Sequence, residues 1–206
     1  MAMGYTRLIS LFFLIAFQVF AAGPFGFERG MTKEQVIALV GQRAVEKVED
    51  DQLVLKTAPR PHPDFNTYIV MISPERGLVK FSAVGKIIHT SRYGEEVKSA
   101  FDETQNLVIK SYGPPAHAYD LLKSGSIWKE PEDWMAGLAK EERGLLSFWQ
   151  FTPSIISTNP SPSHLALVEL KAHALSMEEG YLVLGYEFEG LVEYLDSKKA
   201  KAGEVF

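Results

Sequence analysis

The chain has 206 residues, 46% of them hydrophobic, and a formal charge of −5, which suits a soluble globular protein with one sizeable core or two small packed modules. A mildly acidic surface repels phosphate backbones and argues against nucleic acid as a partner. Cysteine is absent, so there is no disulfide framework, no thiol nucleophile and no thiolate metal site, and stability has to come from packing.

The first element is a leader. Arg7 precedes an almost purely apolar run, Leu8 to Phe20, that closes on the small residues Ala21 and Ala22. This is the pattern of a secretory signal peptide cut after Ala21 or Ala22. The run falls short of the roughly 20 residues needed to span a bilayer, and Gly23-Pro24 closes it. The expectation is export, to a bacterial periplasm or by full secretion, with no stable membrane anchor after cleavage. The chain then divides into a leader (1–22), a first α+β module (23–91) and a second (92–206), the last two also readable as one continuous domain.

In the first module Thr32 and Gln35 have capping-box spacing, and Met31 with Val36 has that of a hydrophobic staple. A short amphipathic helix is expected over Lys33 to Val40, with Val36, Leu39 and Val40 on its apolar face and Gly41 as its stop. Apolar-rich segments follow at Ala44 to Val48 and Gln52 to Lys56, then a Pro-rich loop. A hairpin of Tyr68 to Ile72 with Leu78 to Val84 turns through Ser73-Pro74-Glu75-Arg76-Gly77, and a further strand is expected at Lys86 to Thr90.

The longest helix is expected over Gly94 to Ser111, where Val97, Ala100, Phe101, Thr104, Leu107 and Val108 recur at spacings of three and four, and Gly113-Pro114-Pro115 ends it. A strand near His117 to Leu122, a helix over Pro131 to Glu142 and a strand over Leu145 to Phe151 come next. In that last strand both faces are apolar, which predicts a central strand covered on two sides. Thr152 to Ser163 reads as an exposed loop. A second hairpin, Leu165 to Leu175 with Tyr181 to Phe188, leads to a terminal helix, Leu191 to Lys199. The fold class is α+β, an antiparallel sheet with helices packed on it, in the pattern of two tandem helix-plus-hairpin modules.

Little in this pattern points to catalysis. His62, His89, His117, His164 and His173 never pair at metal-ligand spacing, Gly125-Ser126 lacks the nucleophile-elbow context, and the carboxylate runs sit in turns and on polar helix faces. No catalytic, cofactor-binding or metal-ligating residue is assigned, and no cofactor is expected. One cluster stands out: Trp128, Trp134 and Trp149, the three tryptophans of the chain, fall close together with Phe148 and Phe151. Large aromatics pack cores, and they also anchor partners, so these three are the candidate partner-binding residues.

The stretch Gly30-Met31-Thr32-Lys33-Glu34-Gln35-Val36-Ile37-Ala38-Leu39-Val40-Gly41 resembles the opening of the small exported domains of the BamE-type (SmpA/OmlA) outer-membrane assembly lipoproteins and of the β-lactamase inhibitor proteins. The resemblance implies a compact α+β module used for protein–protein contact in the cell envelope, as a tandem pair in the inhibitor proteins. The matched positions are structural, so it assigns no binding residue. The function expected is an exported, non-enzymatic protein that binds another protein or an envelope component. The alternatives are an exported hydrolase whose site assembles only in the fold, and a small-ligand binder that uses the tryptophan cluster. Sequencing of the mature N-terminus should recover Ala22 or Gly23; Met1 recovered from the membrane fraction would overturn cleavage.

Overall fold

The computed structural model describes residues 23–151 and 164–203; the leader and the expected loop from Thr152 lie outside the described residues. Within them the chain is α+β, with nine strands in one antiparallel sheet and four α-helices. The first helix, α1 (Lys33–Val40), starts at the expected capping box: the Gln35 amide donates to the Thr32 hydroxyl, and the Gln35 side chain accepts from the Thr32 amide at 2.8 Å. Its core-facing stripe is the buried Val36 with the partly buried Ile37 and Val40, whereas Leu39, expected on that face, is turned to solvent.

Strands β1 (Val45–Val48), β2 (Gln52–Leu55), β3 (Phe65–Ser73) and β4 (Gly77–Gly85) then run side by side, followed by the two-residue β5 (Ile88–His89). The long helix α2 (Glu95–Tyr112) leads to β6 (His117–Leu122), α3 (Trp134–Ala139), β7 (Arg143–Gln150), β8 (Leu165–Ala174), β9 (Glu179–Phe188) and α4 (Leu191–Gly203). The sheet order is β1-β2-β3-β4-β9-β8-β7-β6, with β5 also paired to β9. Apart from the short β5, each half of the chain thus lays down four strands in sequence, and the two runs meet where β4 pairs with β9.

The helix expected over Pro131 to Glu142 is shorter and begins as a 3-10 turn at Pro131–Asp133. Its end is a Schellman-type stop: the amides of Glu141 and Glu142 fold back onto the carbonyls of Leu138 and Gly137 at 3.1 and 2.9 Å. Glu141 takes a left-handed φ of 55° there, because the chain has to reverse at once to enter β7.

The core lies on one face of the sheet, under α1, α2, α3 and the N-terminal segment with Phe25 and Phe27. Gln105 of α2 donates to the fully buried Ser147 hydroxyl of β7 at 2.8 Å, and the Trp149 indole N–H donates to the Gly113 carbonyl at 2.9 Å, so α2 is tied to the sheet by polar contacts as well as by packing. On the other face α4 covers one end, where Leu191, Tyr194 and Leu195 pack on Met71 and Val79. The Tyr194 hydroxyl and the Lys198 ammonium both donate to Asp51, at 2.7 and 2.6 Å. Burial pushes the Asp51 carboxyl up, but these hydrogen bonds and the Lys198 charge outweigh it and hold the group below the usual carboxylate range. Burial and the neighbouring carboxylate push Tyr194 up to about 12.

Trp134 shows how closely the side under α2 and α3 is packed. Gly94, at the start of α2, has a left-handed φ of 71°, and a Cβ there would lie 2.2 Å from the Trp134 ring. Trp134→Ala should destabilise the fold by about 3–5 kcal/mol, as aromatic truncations in cores do. Gly94→Ala should be strongly destabilising in the native background and much milder in the Trp134→Ala background, because the clash is removed with the ring. Urea melts of the four-member cycle check this, and additive losses would refute the contact.

Candidate functional site

Strand alternation decides what the uncovered face presents. Along β9, Leu182, Leu184, Tyr186 and Phe188 point into the core, which turns Tyr181, Val183, Gly185 and Glu187 outward. The registers carry this across the sheet: Val168 faces Tyr186 and Leu170 faces Leu184 on the core side, while Glu169 lies opposite Gly185 and Lys171 opposite Val183 on the other. Next to them come Leu146 and Phe148 of β7, then His117, Tyr119 and Leu121 of β6. Among the described residues α4 is the one helix on this side, since α1, α2 and α3 all contribute to the opposite core.

Among the described residues, the strand of Leu145 to Phe151, expected to be covered twice, is therefore covered on one side. Ser147 and Trp149 are buried, while Leu146 and Phe148 stay half-exposed. Phe148 meets the edge of Tyr119 at 6.5 Å between ring centres, and Tyr119 lies parallel to His117 at 5.9 Å. Tyr119 and Leu121 are each 43% exposed, which makes this end of the face an aromatic and aliphatic strip.

The centre is different. Gly185 leaves a hollow of about 220 Å³ bordered by Lys80, Ser82, Glu169, Lys171 and Glu187. Lys80 and Glu187 form an ion pair of 2.7 Å across β4 and β9. His173 stacks on Tyr181 at 5.1 Å with the rings 14° from parallel, and burial, then the Lys171 charge, push its pKa below the ordinary imidazole value. The ring is accordingly neutral at pH 7, and the border of the hollow carries two positive and two negative side chains.

The three tryptophans lie elsewhere. Trp134 and Trp149 are 3% and 2% exposed and belong to the core; Trp128 is half-buried in the loop before α3. Trp134 packs at the start of α2, beside Gly94, and Trp149 at its end, bonded to the Gly113 carbonyl, so the length of the helix, about 27 Å at 1.5 Å per residue, lies between them, and neither presents a surface to a partner. Trp134 instead carries the Lys98 ammonium over its ring at 4.4 Å. The histidines are dispersed, with His89 beside Glu179, His164 beside Glu189 and His62 beside Asp64. Among the described residues no three His, Asp or Glu side chains converge as a metal site, and no helix is long and apolar enough to cross a membrane.

The residues that do form a surface, Tyr119, Leu121, Leu146 and Phe148, and the buried Gly185 at the base of the hollow carry a weak sequence signal. Every second residue of His117 to Leu122 on one side is large, and β7 is apolar on both sides. No family model matches the chain, and neither a curated protein nor a solved structure matches it.

Adjacent residues on β7 test the face assignment. Trp149→Ala should cost about 3–5 kcal/mol as a core truncation, whereas Phe148→Ala, one residue away on the open face, should cost about 1 kcal/mol or less. Equal losses in thermal or urea melts would mean that the open face is covered.

Proposed function

We propose that this is an exported protein whose open sheet face docks a folded protein partner, with the Gly185 hollow receiving one side chain and the strip of Tyr119, Leu121, Leu146 and Phe148 supplying the apolar contact. The observation that carries this reading is Gly185 itself. A glycine weakens a strand interior, and such a position often marks close approach by another group. Here the fold has no need of it: a Cβ would have as its nearest neighbours the Ser82 hydroxyl at 3.7 Å and the Glu169 carbonyl at 3.9 Å, which is ordinary contact distance.

Size points to a protein rather than a small molecule. The six strands β3, β4, β9, β8, β7 and β6 lie about 4.8 Å apart and span roughly 24 Å, a shallow surface with the width of a standard protein interface. Half-exposed aromatic side chains beside a desolvatable hollow match the anchor-and-pocket anatomy of such interfaces, and the alternating charges around the hollow set the register of the partner. Export rests on the leader, and contact within the cell envelope agrees with the resemblance at Gly30 to Gly41.

Gly185→Trp should fill the hollow with little change in melting temperature and abolish partner capture. A photo-crosslinking residue at Tyr119 should trap a specific partner in the envelope fraction that the same residue at Asp102, on the exposed side of α2, does not. Identical products from both positions, or a Tyr119 product that survives Gly185→Trp, would overturn the proposal. Sedimentation showing that the product is a dimer of this chain would overturn a foreign partner.

A further inference from the structure

The helix-covered side of the sheet is not fully closed. Between α2 and the N-terminal segment lies an open-mouthed cavity of about 370 Å³, within the range of roughly 300–1,000 Å³ that small-molecule sites occupy. Its floor is Leu184 and Tyr186 of β9, the two residues that flank Gly185 and point the opposite way. One wall is Phe25 and Phe65. The other is a stripe of α2, with Thr104 and Val108 at spacing four and Tyr112 four further on.

The wall at Phe25 is built at a cost. Phe25 has a left-handed backbone, φ 55° and ψ 12°, in a region that aromatic residues rarely adopt. It is held there by the Arg60 amide, which donates to the Phe25 carbonyl at 2.9 Å, and by the Arg60 guanidinium, which donates to the Gly23 carbonyl at 2.5 Å. The Phe25 ring is thereby set edge-on to Phe65, Tyr68, Phe81 and Tyr186, at 5.5–6.1 Å between ring centres. Strain of this kind, with an aromatic box around an accessible void, is expected of a ligand site and not of a packing defect.

The polar groups are few and placed at the two ends. At the floor, burial, followed by the adjoining Tyr112 hydroxyl, pushes the Tyr186 hydroxyl far above its ordinary range, so it remains a neutral hydrogen-bond donor and acceptor. Thr104 adds a second hydroxyl, itself buried. At the mouth stand Arg60 and His62, the cationic guanidinium and the imidazole. A second, smaller void of about 170 Å³, lined by Ile88 and Leu182, shares Phe65 and Thr104 with the first, so these two side chains form the partition between them.

We propose that this cavity binds a small carboxylate with an apolar body of one or two rings or a short acyl chain, its apolar part among Phe25, Phe65 and Val108 and its carboxylate at the Arg60 mouth. The site is separate from the docking face, on the other side of the same strand, and does not depend on it.

Calorimetric titration of the full mature protein with 1-naphthoate and with octanoate tests this, with 1-naphthalenemethanol as the uncharged comparison. At least one carboxylate should bind saturably at one per chain, and the relative affinity of the two decides between a ring and an acyl body. Leu107→Trp, at an exposed position on the cavity wall, should abolish that binding without lowering the melting temperature. Absence of saturable binding by both carboxylates at millimolar concentration, binding unchanged by Leu107→Trp, or equally tight binding of the alcohol would each overturn the proposal.

Discussion

The pairing of β4 with β9 is the contact on which the rest of the molecule depends. Lys80 to Val84 run against Val183 to Glu187, far apart in sequence, and the seam is fastened on both faces. In the core Phe81 stacks on Tyr186 at 4.8 Å with the rings 13° from parallel; outside, Lys80 meets Glu187 at 2.7 Å. Without this seam each four-strand run would end in an unpaired central edge, and the core that unites Phe27, Val36 and Tyr68 with Trp149, Val168 and Phe188 would be cut in two. A pairing so distant in sequence is entropically late in folding, since the loop it closes contains α2, α3 and most of the second half.

The same strand then makes both candidate surfaces. Because side chains alternate, Leu184 and Tyr186 form the floor of the cavity under α2 while Gly185 opens the hollow on the far face. One residue of register slip would exchange them, placing a glycine in the core and a tyrosine outside. The stacking of Phe81 on Tyr186 and the Lys80–Glu187 pair therefore do more than join two halves: they fix which face of β9 is which.

How much of this could be read in the chain depends on how local the cause is. The capping box at Thr32 and Gln35 acts within a few residues, and α1 begins where it directs. The strand expected near His117 to Leu122 is β6, and both hairpins lie within a few residues of where their turn residues and apolar runs put them. Leu39 misled because a helical stripe is drawn from spacing alone, whereas the docking angle of α1 selects Ile37 instead. For the tryptophans, residue type leaves a core and an anchor reading open, and Trp134 and Trp149 take the core one, because the properties that make tryptophan an anchor also bury it. For the open face the obstacle is different. Its residues come from six strands, every second position is claimed by the core, and the order β4-β9-β8-β7-β6 that assembles them is set by a seam with no local signature.

If the remaining face docks a partner as proposed, it has to meet two demands at once, hydration while free and contact area when bound. Its composition divides them by position. Over β4, β9 and β8 the outward residues include Lys80, Glu187, Glu169 and Lys171, paired or alternating in sign, so the centre is hydrated while free and directional when docked. Toward the edge, Tyr119, Leu121, Leu146 and Phe148 give apolar area that is only half-covered by neighbouring side chains. Isolated exposed apolar groups call for no explanation, but a contiguous strip beside an empty hollow does. Core packing already has Trp134, Trp149 and the α2 stripe on the other side, and strand propensity would favour a β-branched residue over glycine at position 185. Neither demand of folding accounts for the combination, and it is on this combination that the proposed docking rests.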